Sequence, residues 1–197
     1  MDGQFHRRRL MQAALATFAA GAASPALAAA TPALVSVARR GLERAGDSVR
    51  YRDIVGIADF TAASKTPRFH LVDLRNGATT SLLVSHGRGS DPGHSGWLRS
   101  FSNEVGSAAT SQGAYVTGDY YVGKHGRSMR LQGLDRSNSN AESRAIVVHG
   151  AWYVSPKMVA QHGMLGRSEG CFAFDEADLP QVLARLGPGR LLLAAKY

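Results

Sequence analysis

The sequence holds a single cysteine, Cys171, which closes the segment Ser168-Glu169-Gly170-Cys171. Upstream of it, an apolar run ends in His149 and passes directly into Gly150. A thiolate is the nucleophilic form of cysteine, and a nearby imidazole can generate it near neutral pH. These two residue types together indicate nucleophilic catalysis by a thiol. The alternative is that Cys171 is a small buried hydrophobic residue, as most free cysteines are.

Residues 1–28 are typical of an export signal. Arg7–Arg9 form a positive segment, an alanine-rich stretch follows, and Ala26–Ala28 supplies a small-x-small cleavage site. The segment Arg7–Gln12 also resembles a twin-arginine signal, with His6 where such signals carry Ser or Thr. The apolar stretch falls short of the roughly 20 strongly apolar residues that a membrane span needs. We therefore expect export to the periplasm or cell envelope, with no integral membrane segment once the signal is removed.

Export makes the lone thiol informative. Cysteines of exported proteins usually pair as disulfides, so a single unpaired thiol favours either intermolecular bonding or chemistry. The chain carries a formal net charge of +8, but its arginines are scattered beyond the signal and are not interleaved with aromatic residues. We therefore expect no nucleic-acid partner, and the charge suits an anionic wall polymer or membrane surface instead.

The spacing of apolar residues predicts a mainly β domain with a few peripheral helices. We divide the chain beyond the signal into an N-terminal helix and linker at 29–50 and one catalytic domain at 51–197. The first helix is expected at 33–45, ending at Gly46, with later helices at 156–161 and from an Asp175 cap to Leu186. Asn76-Gly77 predicts a tight type I′ hairpin turn. Strands are expected at 54–60, 69–74, 79–84, 115–117, 120–123, 128–134, 145–149 and, as the closing strand, 191–195, with a long loop at 86–111.

Six of the seven histidines lie beyond the signal, and none follows Cys171, which excludes papain-like enzymes because they place the cysteine first. His149 is the preferred base, because a rigid strand delivers it and Gly150 permits close approach of a substrate. His86 is a candidate substrate contact, because it ends a predicted strand in the same way, before a glycine. The others are expected to be surface or structural residues: His70, His94, His125 and His162.

A zinc site is the main alternative use of these histidines. His86, Asp91, His94 and His149 could gather around a metal ion. The chain lacks a closely spaced H-x-x-x-H or H-x-x-E-H pair, however. We therefore expect no metal and no cofactor.

The succession Val147-Val148-His149-Gly150, then Ser168-Glu169-Gly170-Cys171, resembles the signature of the L,D-transpeptidases, the YkuD-type enzymes of bacterial cell walls. That signature is a histidine, a spacer, then Ser/Thr-His-Gly-Cys. The fit is best to the murein L,D-transpeptidase catalytic-domain branch, and it runs from about Ile54 to the C-terminus. Two features depart from the signature: Glu169 replaces its second histidine, and 18 residues separate His149 from Ser168, slightly more than usual.

This resemblance implies an L,D-transpeptidase-like β-sandwich or barrel that acts on peptidoglycan stem peptides. Cys171 would attack the diamino acid at the third position of a stem, release the terminal D-alanine and form a thioester. A side-chain amine from a neighbouring stem would then resolve it, with His149 as general acid and base. Backbone N–H groups of Gly170 and Cys171 would bind the oxyanion, and Ser168 would support the loop.

Several points stay open at this stage. Water in place of the amine would make the protein an L,D-carboxypeptidase, and loss of activity would leave a non-catalytic murein-binding module. Gly150, Arg167 and Glu169 are further candidate substrate contacts. Glu169 could meet a cationic acceptor amine or pair with Arg167, but we favour a solvated position for both side chains. The oligomeric state is not addressed by the sequence.

Overall fold

The computed structural model of the chain describes residues 27–29 and 32–197, so nearly all of the predicted export signal lies outside the described residues. In the described part, one sheet of nine strands forms the body of the protein. The strands are β1 Leu27–Ala29, β2 Ile54–Asp59, β3 Phe69–Asp73, β4 Ala78–Leu82, β5 Gly113–Gly123, β6 Gly126–Gly133, β7 Val147–Gly150, β8 Phe172–Phe174 and β9 Leu191–Ala195.

The sheet is nearly closed on itself. Its strand order is β1-β4-β3-β2-β9-β5-β6-β7-β8, with parallel pairing only at β2–β9 and β7–β8. Directly after β4, the N–H of Ser85 donates a 2.9 Å hydrogen bond to the carbonyl of Ala173 in β8. This bridge links β8, at one end of the strand order, to the segment after β4, which is the second strand from the other end, as in a barrel that is nearly closed. The prediction of a mainly β, barrel-like domain is confirmed.

In the described part of the chain, three α-helices cover the sheet: α1 Pro32–Ala45, α2 Pro156–His162 and α3 Leu179–Leu186. The apolar side of α3 packs into the main core, which the inward-facing side chains of the sheet fill. On another side, α1 lies so close to β9 that a Cβ added to Gly41 would be 2.6 Å from Leu193 Cδ1. No helix in the described part of the chain is long and apolar enough to cross a membrane.

Several predicted elements agree with the structure, and others need correction. The first helix, the helix that begins at Pro156 and the strand at 191–195 are confirmed, although β9 lies inside the sheet and does not close it. The type I′ turn is wrong, because β3 and β4 are joined by the four residues 74–77, in which only Gly77 has a positive φ. The Asn76 side chain instead accepts a 2.9 Å hydrogen bond from the N–H of Ala78.

Three further corrections concern the second half of the chain. The predicted strands 115–117 and 120–123 are one strand, β5, with an irregular register between Thr117 and Tyr120. The helix expected from an Asp175 cap begins at Leu179, because Asp175 starts the turn that precedes it. Strand β8 was not predicted, since a strand of three residues is too short to show a periodicity in the sequence.

Candidate active site

Strand pairing brings Cys171 and His149 to the same face of the sheet. Val148 of β7 lies opposite Phe172 of β8 in parallel register, and both side chains point into the main core. Neighbouring residues along a strand point to opposite faces. His149 and Cys171, each adjacent in sequence to one of these core residues, therefore lie together on the outer face.

Both residues line one cavity of about 410 Å³ on this face. The tip of the β5–β6 hairpin contributes one wall, and the segment before β7 and the turn before β8 contribute the others. The lining residues are Tyr121, Lys124, His125, Arg144, Ala145, Val147, His149, Tyr153, Arg167, Ser168, Glu169 and Cys171.

The Cys171 thiol is half-buried and in its resting state donates a hydrogen bond to the carbonyl of Ala145, 3.5 Å away. Burial raises the pKa of the Cys171 thiol. A hydrogen bond from the backbone of Val147 and the charges of Lys124 and Arg144 oppose that rise without cancelling it. Cys171 is therefore a thiol and not a preformed thiolate, and it would need a base to become a nucleophile.

His149 has the properties of a neutral base. It is 1% exposed, and burial lowers the pKa of its imidazole to about 4. Its Nδ1 lies 2.8 Å from the carbonyl oxygen of Gly150. Because a carbonyl can only accept, Nδ1 carries the hydrogen, and the Nε2 lone pair of the neutral ring is free to take a proton. The Gly150 carbonyl thus fixes the His149 ring, and a Cβ added to Gly150 would face Leu179 and Glu176, which do not line the cavity.

Ser168 organises the turn that carries the thiol. Its hydroxyl donates a 2.7 Å hydrogen bond to the carbonyl of Cys171 and accepts a 3.2 Å bond from the N–H of Gly170. Gly170 has φ of +119°, and a Cβ there would lie 2.8 Å from the carbonyl oxygen of Ala109. Glycine is therefore required before the cysteine, and its N–H, an expected oxyanion donor, is bonded to Ser168 in the resting structure.

A second segment, residues 86–91, braces this turn. The N–H of Ser168 donates to the carbonyl of His86 at 2.9 Å, and the N–H of Arg88 donates back to the carbonyl of Ser168 at 2.7 Å. Between them, Gly87 packs so tightly that a Cβ would lie 2.7 Å from Gly170 Cα. The long loop after β4 thus fixes the backbone of the cysteine turn through these hydrogen bonds and this close packing.

The His86 side chain is not in the cavity. Its imidazole is 1% exposed, with Nδ1 2.6 Å from an Arg68 guanidinium nitrogen and Nε2 3.6 Å from a carboxylate oxygen of Asp91. Burial, and then the charge of Arg68, lowers the pKa of His86 to about 3. The same guanidinium donates to the carbonyl of Val84. The buried cluster of His86, Arg68 and Asp91 therefore holds segment 86–91 in place, and that segment in turn supports the cysteine turn.

Glu169 pairs with Arg88 and not with Arg167. One Glu169 carboxylate oxygen lies 2.7 Å from Nε of Arg88, and both side chains are largely exposed. Arg167 instead donates to the backbone carbonyls of Asp91 and Pro92, which ties the turn to the long loop. The suggested pairing of Arg167 with Glu169 is thus wrong, because neighbours in sequence point in different directions here.

The structure also brings in residues that the sequence did not single out. The ring of His125, expected to be an ordinary surface or structural residue, stacks on that of His149. Arg144 donates to the carbonyl of Ser102 and the hydroxyl of Ser111, and so ties the long loop to the segment before β7. Burial raises the pKa of Tyr153, another wall residue, to about 12. Gly123 and Gly126 indicate a turn around Lys124 and His125 in the sequence. The sequence does not indicate that this turn lies over His149.

The four residues considered for zinc do not gather. His94 Nε2 lies 3.0 Å from the carbonyl oxygen of Leu165, and His149 lies in the cavity, apart from the buried pair of His86 and Asp91. Within residues 27–29 and 32–197, no group of three or more His, Cys, Asp or Glu side chains is placed to hold a metal ion.

Comparisons with known proteins place the chain in a family. Solved structures similar to it include an L,D-transpeptidase from Mycobacterium smegmatis (13% identity, TM-score 0.45) and one from Mycobacterium tuberculosis (15%, 0.47), each covering 73% of this chain and 58% of the other. The helical cell shape determining protein Pgp2 from Campylobacter jejuni matches with 14% identity and a TM-score of 0.46, over 81% of this chain and 54% of its own.

The chain thus spans a little over half the length of these solved proteins. A search of curated protein sequences finds no significant match. The sequence model of the L,D-transpeptidase catalytic domain, however, matches residues 28–194, which is most of the chain. The protein therefore belongs to the L,D-transpeptidase catalytic domain family.

Proposed function

We propose that this protein is a cysteine acyltransferase that acts on peptidoglycan stem peptides as an L,D-transpeptidase. One observation carries the proposal: Cys171 and His149 lie on the same face of two paired parallel strands and line one cavity. Membership of the family supplies the substrate class. A thiol that needs a base, next to a neutral imidazole with a free lone pair, is the arrangement that acyl transfer through a thioester requires.

In the proposed first half-reaction, the thiol turns from the Ala145 carbonyl towards the imidazole, and His149 Nε2 takes its proton. The sulfur attacks the carbonyl carbon of the diamino acid at the third position of a donor stem. The bond to the nitrogen of the terminal D-alanine then breaks, and His149 returns the proton to that nitrogen. D-Alanine leaves, and the stem remains as a thioester on Cys171.

In the second half-reaction, the side-chain amine of a neighbouring stem attacks the thioester carbon. His149 takes a proton from that amine, the carbon–sulfur bond breaks, and the proton passes to the sulfur to restore the thiol. The product is an amide between two stems. Water in place of the amine would give the carboxypeptidase reaction with the same proton movements.

The cysteine turn supplies the remaining parts of the proposed machinery. We assign the backbone N–H of Cys171 as the donor to the oxyanion, because it belongs to the same residue as the attacking sulfur and so lies near the carbonyl that the sulfur attacks. Gly170 permits the close packing of the turn, and Ser168 fixes it. The cationic side chains of Lys124 and Arg167 on the cavity wall suit the terminal carboxylate of a stem, and Glu169 stands at the rim.

This assignment fits an exported protein. We propose that residues 1–28 are removed and that the mature protein acts in the periplasm or cell envelope. Such a cleavage would take two of the three residues of β1, which pairs only with β4 at the edge of the sheet. The cavity lies at the other end of the strand order, so the proposed processing leaves its strands intact.

The test is product analysis with purified protein that lacks residues 1–28. A disaccharide-tetrapeptide is incubated alone and with an amine acceptor stem, and the products are identified by mass. Crosslinked dimers that need the acceptor support the transpeptidase. Tripeptide and free D-alanine as the sole products in both cases would support the carboxypeptidase. Binding to sacculi that survives Cys171→Ala, with no product formed by the unaltered protein, would leave a binding module.

A further inference from the structure

The tip of the β5–β6 hairpin reaches over the proposed base. Strand pairing runs to the end of the hairpin, where Gly123 lies opposite Gly126, so the loop consists of Lys124 and His125 alone. The His125 ring lies flat on the His149 ring, with 4.1 Å between the ring centroids and 18° between the planes. A residue 24 positions away in sequence thus covers one face of the buried imidazole.

This contact completes the restraints on the His149 ring. The hydrogen bond from Nδ1 to the Gly150 carbonyl fixes one edge but allows the ring to tilt about that bond. A flat ring stacked on its face removes that freedom, because aromatic rings at this distance keep a defined offset. With one edge and one face held, the Nε2 edge is the part of the ring that these two contacts leave free, and His149 lines the same cavity as Cys171.

We propose that His125 is a positioning residue, whose stacked ring holds His149 in the orientation and tautomer in which Nε2 takes the proton of Cys171. This inference rests on the proposed function, since it assigns the base that the proposed reaction uses. His125 itself exchanges no proton with substrate in this scheme. An aromatic ring of any kind at this position would therefore serve, whereas a small side chain would not.

The charge of His125, like the stacking of its ring, favours the neutral form of His149. Two imidazolium rings in face-to-face contact repel each other, so protonation of the more exposed His125 disfavours protonation of His149. After burial, the charges of His125 and Lys124 are what lower the pKa of His149, against the hydrogen bond to Gly150. The other titratable or charged groups around the cavity are Tyr121 on the hairpin, Arg144 before β7, Tyr153 after β7, and Arg167, Glu169 and Cys171 in the turn before β8.

The competing interpretation is that His125 is a surface residue whose contact with His149 has no consequence. Substitutions that separate stacking from charge decide between the two. His125→Phe keeps a flat ring and loses the charge, and His125→Ala loses both. The matched control is His162→Ala, which removes an exposed histidine at the end of α2, outside the cavity.

The measurement is NMR of ¹⁵N-labelled histidine rings over a pH titration, combined with the rate of Cys171 acylation by a tetrapeptide stem. In the unaltered protein, we expect His149 to stay neutral with hydrogen on Nδ1 well below neutral pH. His125→Ala should raise the pKa of His149, mix its tautomers and slow acylation about tenfold. His125→Phe should keep the tautomer and restore the rate, although the pKa of His149 rises, and His162→Ala should change nothing.

An unchanged His149 tautomer and acylation rate in His125→Ala would overturn the proposal. So would a rate in His125→Phe as low as that of His125→Ala, because the flat ring would then not be what matters. The NMR readout needs no turnover. If no acyl-enzyme forms in any variant but the tautomers still mix in His125→Ala, the positioning role stands and the proposed function fails.

Discussion

The hydroxyl of Ser168 donates a 2.7 Å hydrogen bond to the carbonyl oxygen of Cys171, three residues along the chain. The hydroxyl oxygen of Ser168 also accepts a hydrogen bond from the N–H of Gly170. One side chain thus holds both peptide groups around the proposed nucleophile. Because Gly170 has a positive φ, this turn lacks a regular backbone pattern to stabilise it, and the serine takes that part.

We expect Ser168→Ala to weaken both the turn and the reaction. Loss of two hydrogen bonds at a buried side chain should lower the free energy of unfolding by about 1–3 kcal/mol. A displaced sulfur should slow acylation by roughly tenfold or more. The control is Ser143→Ala, which removes an exposed hydroxyl that donates to the Asn140 carbonyl. Equal acylation rates in the two variants, from stopped-flow or quenched mass spectrometry, would show that Ser168 does not position the thiol.

A methyl group at Gly87 should displace the turn that carries Cys171. Its Cβ would lie 2.3 Å from the carbonyl oxygen of Ala108 and 2.7 Å from Gly170 Cα, and backbone atoms cannot move away easily. We expect Gly87→Ala to destabilise the protein by about 1–3 kcal/mol, as overpacking does, and to reduce activity further. Gly93→Ala is the control, since no atom lies within 4 Å of its added Cβ. Thermal unfolding of the two variants tests this, and equal midpoints would contradict the close contact.

The reactivity of the thiol should depend on pH as that of a protonated cysteine does. Burial raises the pKa of Cys171, and the pKa of His149 is about 4, so at neutral pH both groups are uncharged. The rate of alkylation by iodoacetamide should therefore keep rising with pH beyond about pH 8. A rate that stays level between about pH 5 and pH 8 would instead reveal a thiolate–imidazolium pair.

Acid should destabilise the fold through buried neutral histidines. The pKa of His86 is about 3 in the folded protein, below the value of about 6.5 in an unfolded chain. The unfolded state therefore binds more protons, so the stability present above about pH 6.5 is lost as the pH falls towards 3. In His86→Gln, which can still accept from Arg68, thermal midpoints should fall less steeply with decreasing pH. His162→Gln should keep the original slope. If the thermal midpoint of His86→Gln fell with decreasing pH as steeply as that of the unaltered protein, the pKa of His86 would not be lowered in the folded state.

Local patterns were enough to predict much of the framework. Apolar spacing predicted α1, and the β-branched runs predicted the positions of β2, β3 and β9 to within one residue at each end. His149 was predicted as the base from the same kind of pattern, because an apolar run typical of a strand ends at this residue. What a pattern of single residues does not contain is which strands are neighbours, so the parallel pairing of β7 with β8 was not foreseen.

The remaining parts of the site depend on tertiary geometry. His125 lies at the tip of a hairpin whose strand β5 has an irregular register between Thr117 and Tyr120, and its ring stacks on that of His149. An irregularity of this kind changes the course of a strand, and the hydrophobic periodicity of the sequence does not encode it. Glu169 illustrates the same limit. Its partner, Arg88, lies 81 positions away, and the contact exists only because the long loop returns to the cysteine turn.

The most direct test of the central proposal is the intact mass of the protein after brief incubation with a disaccharide-tetrapeptide. We expect an adduct of tripeptide length, mapped to Cys171 by digestion, together with release of D-alanine. Cys171→Ala should show neither, while its thermal midpoint stays close to that of the unaltered protein. Continued D-alanine release by Cys171→Ala, or an adduct on another residue, would contradict the assignment of Cys171 as the nucleophile.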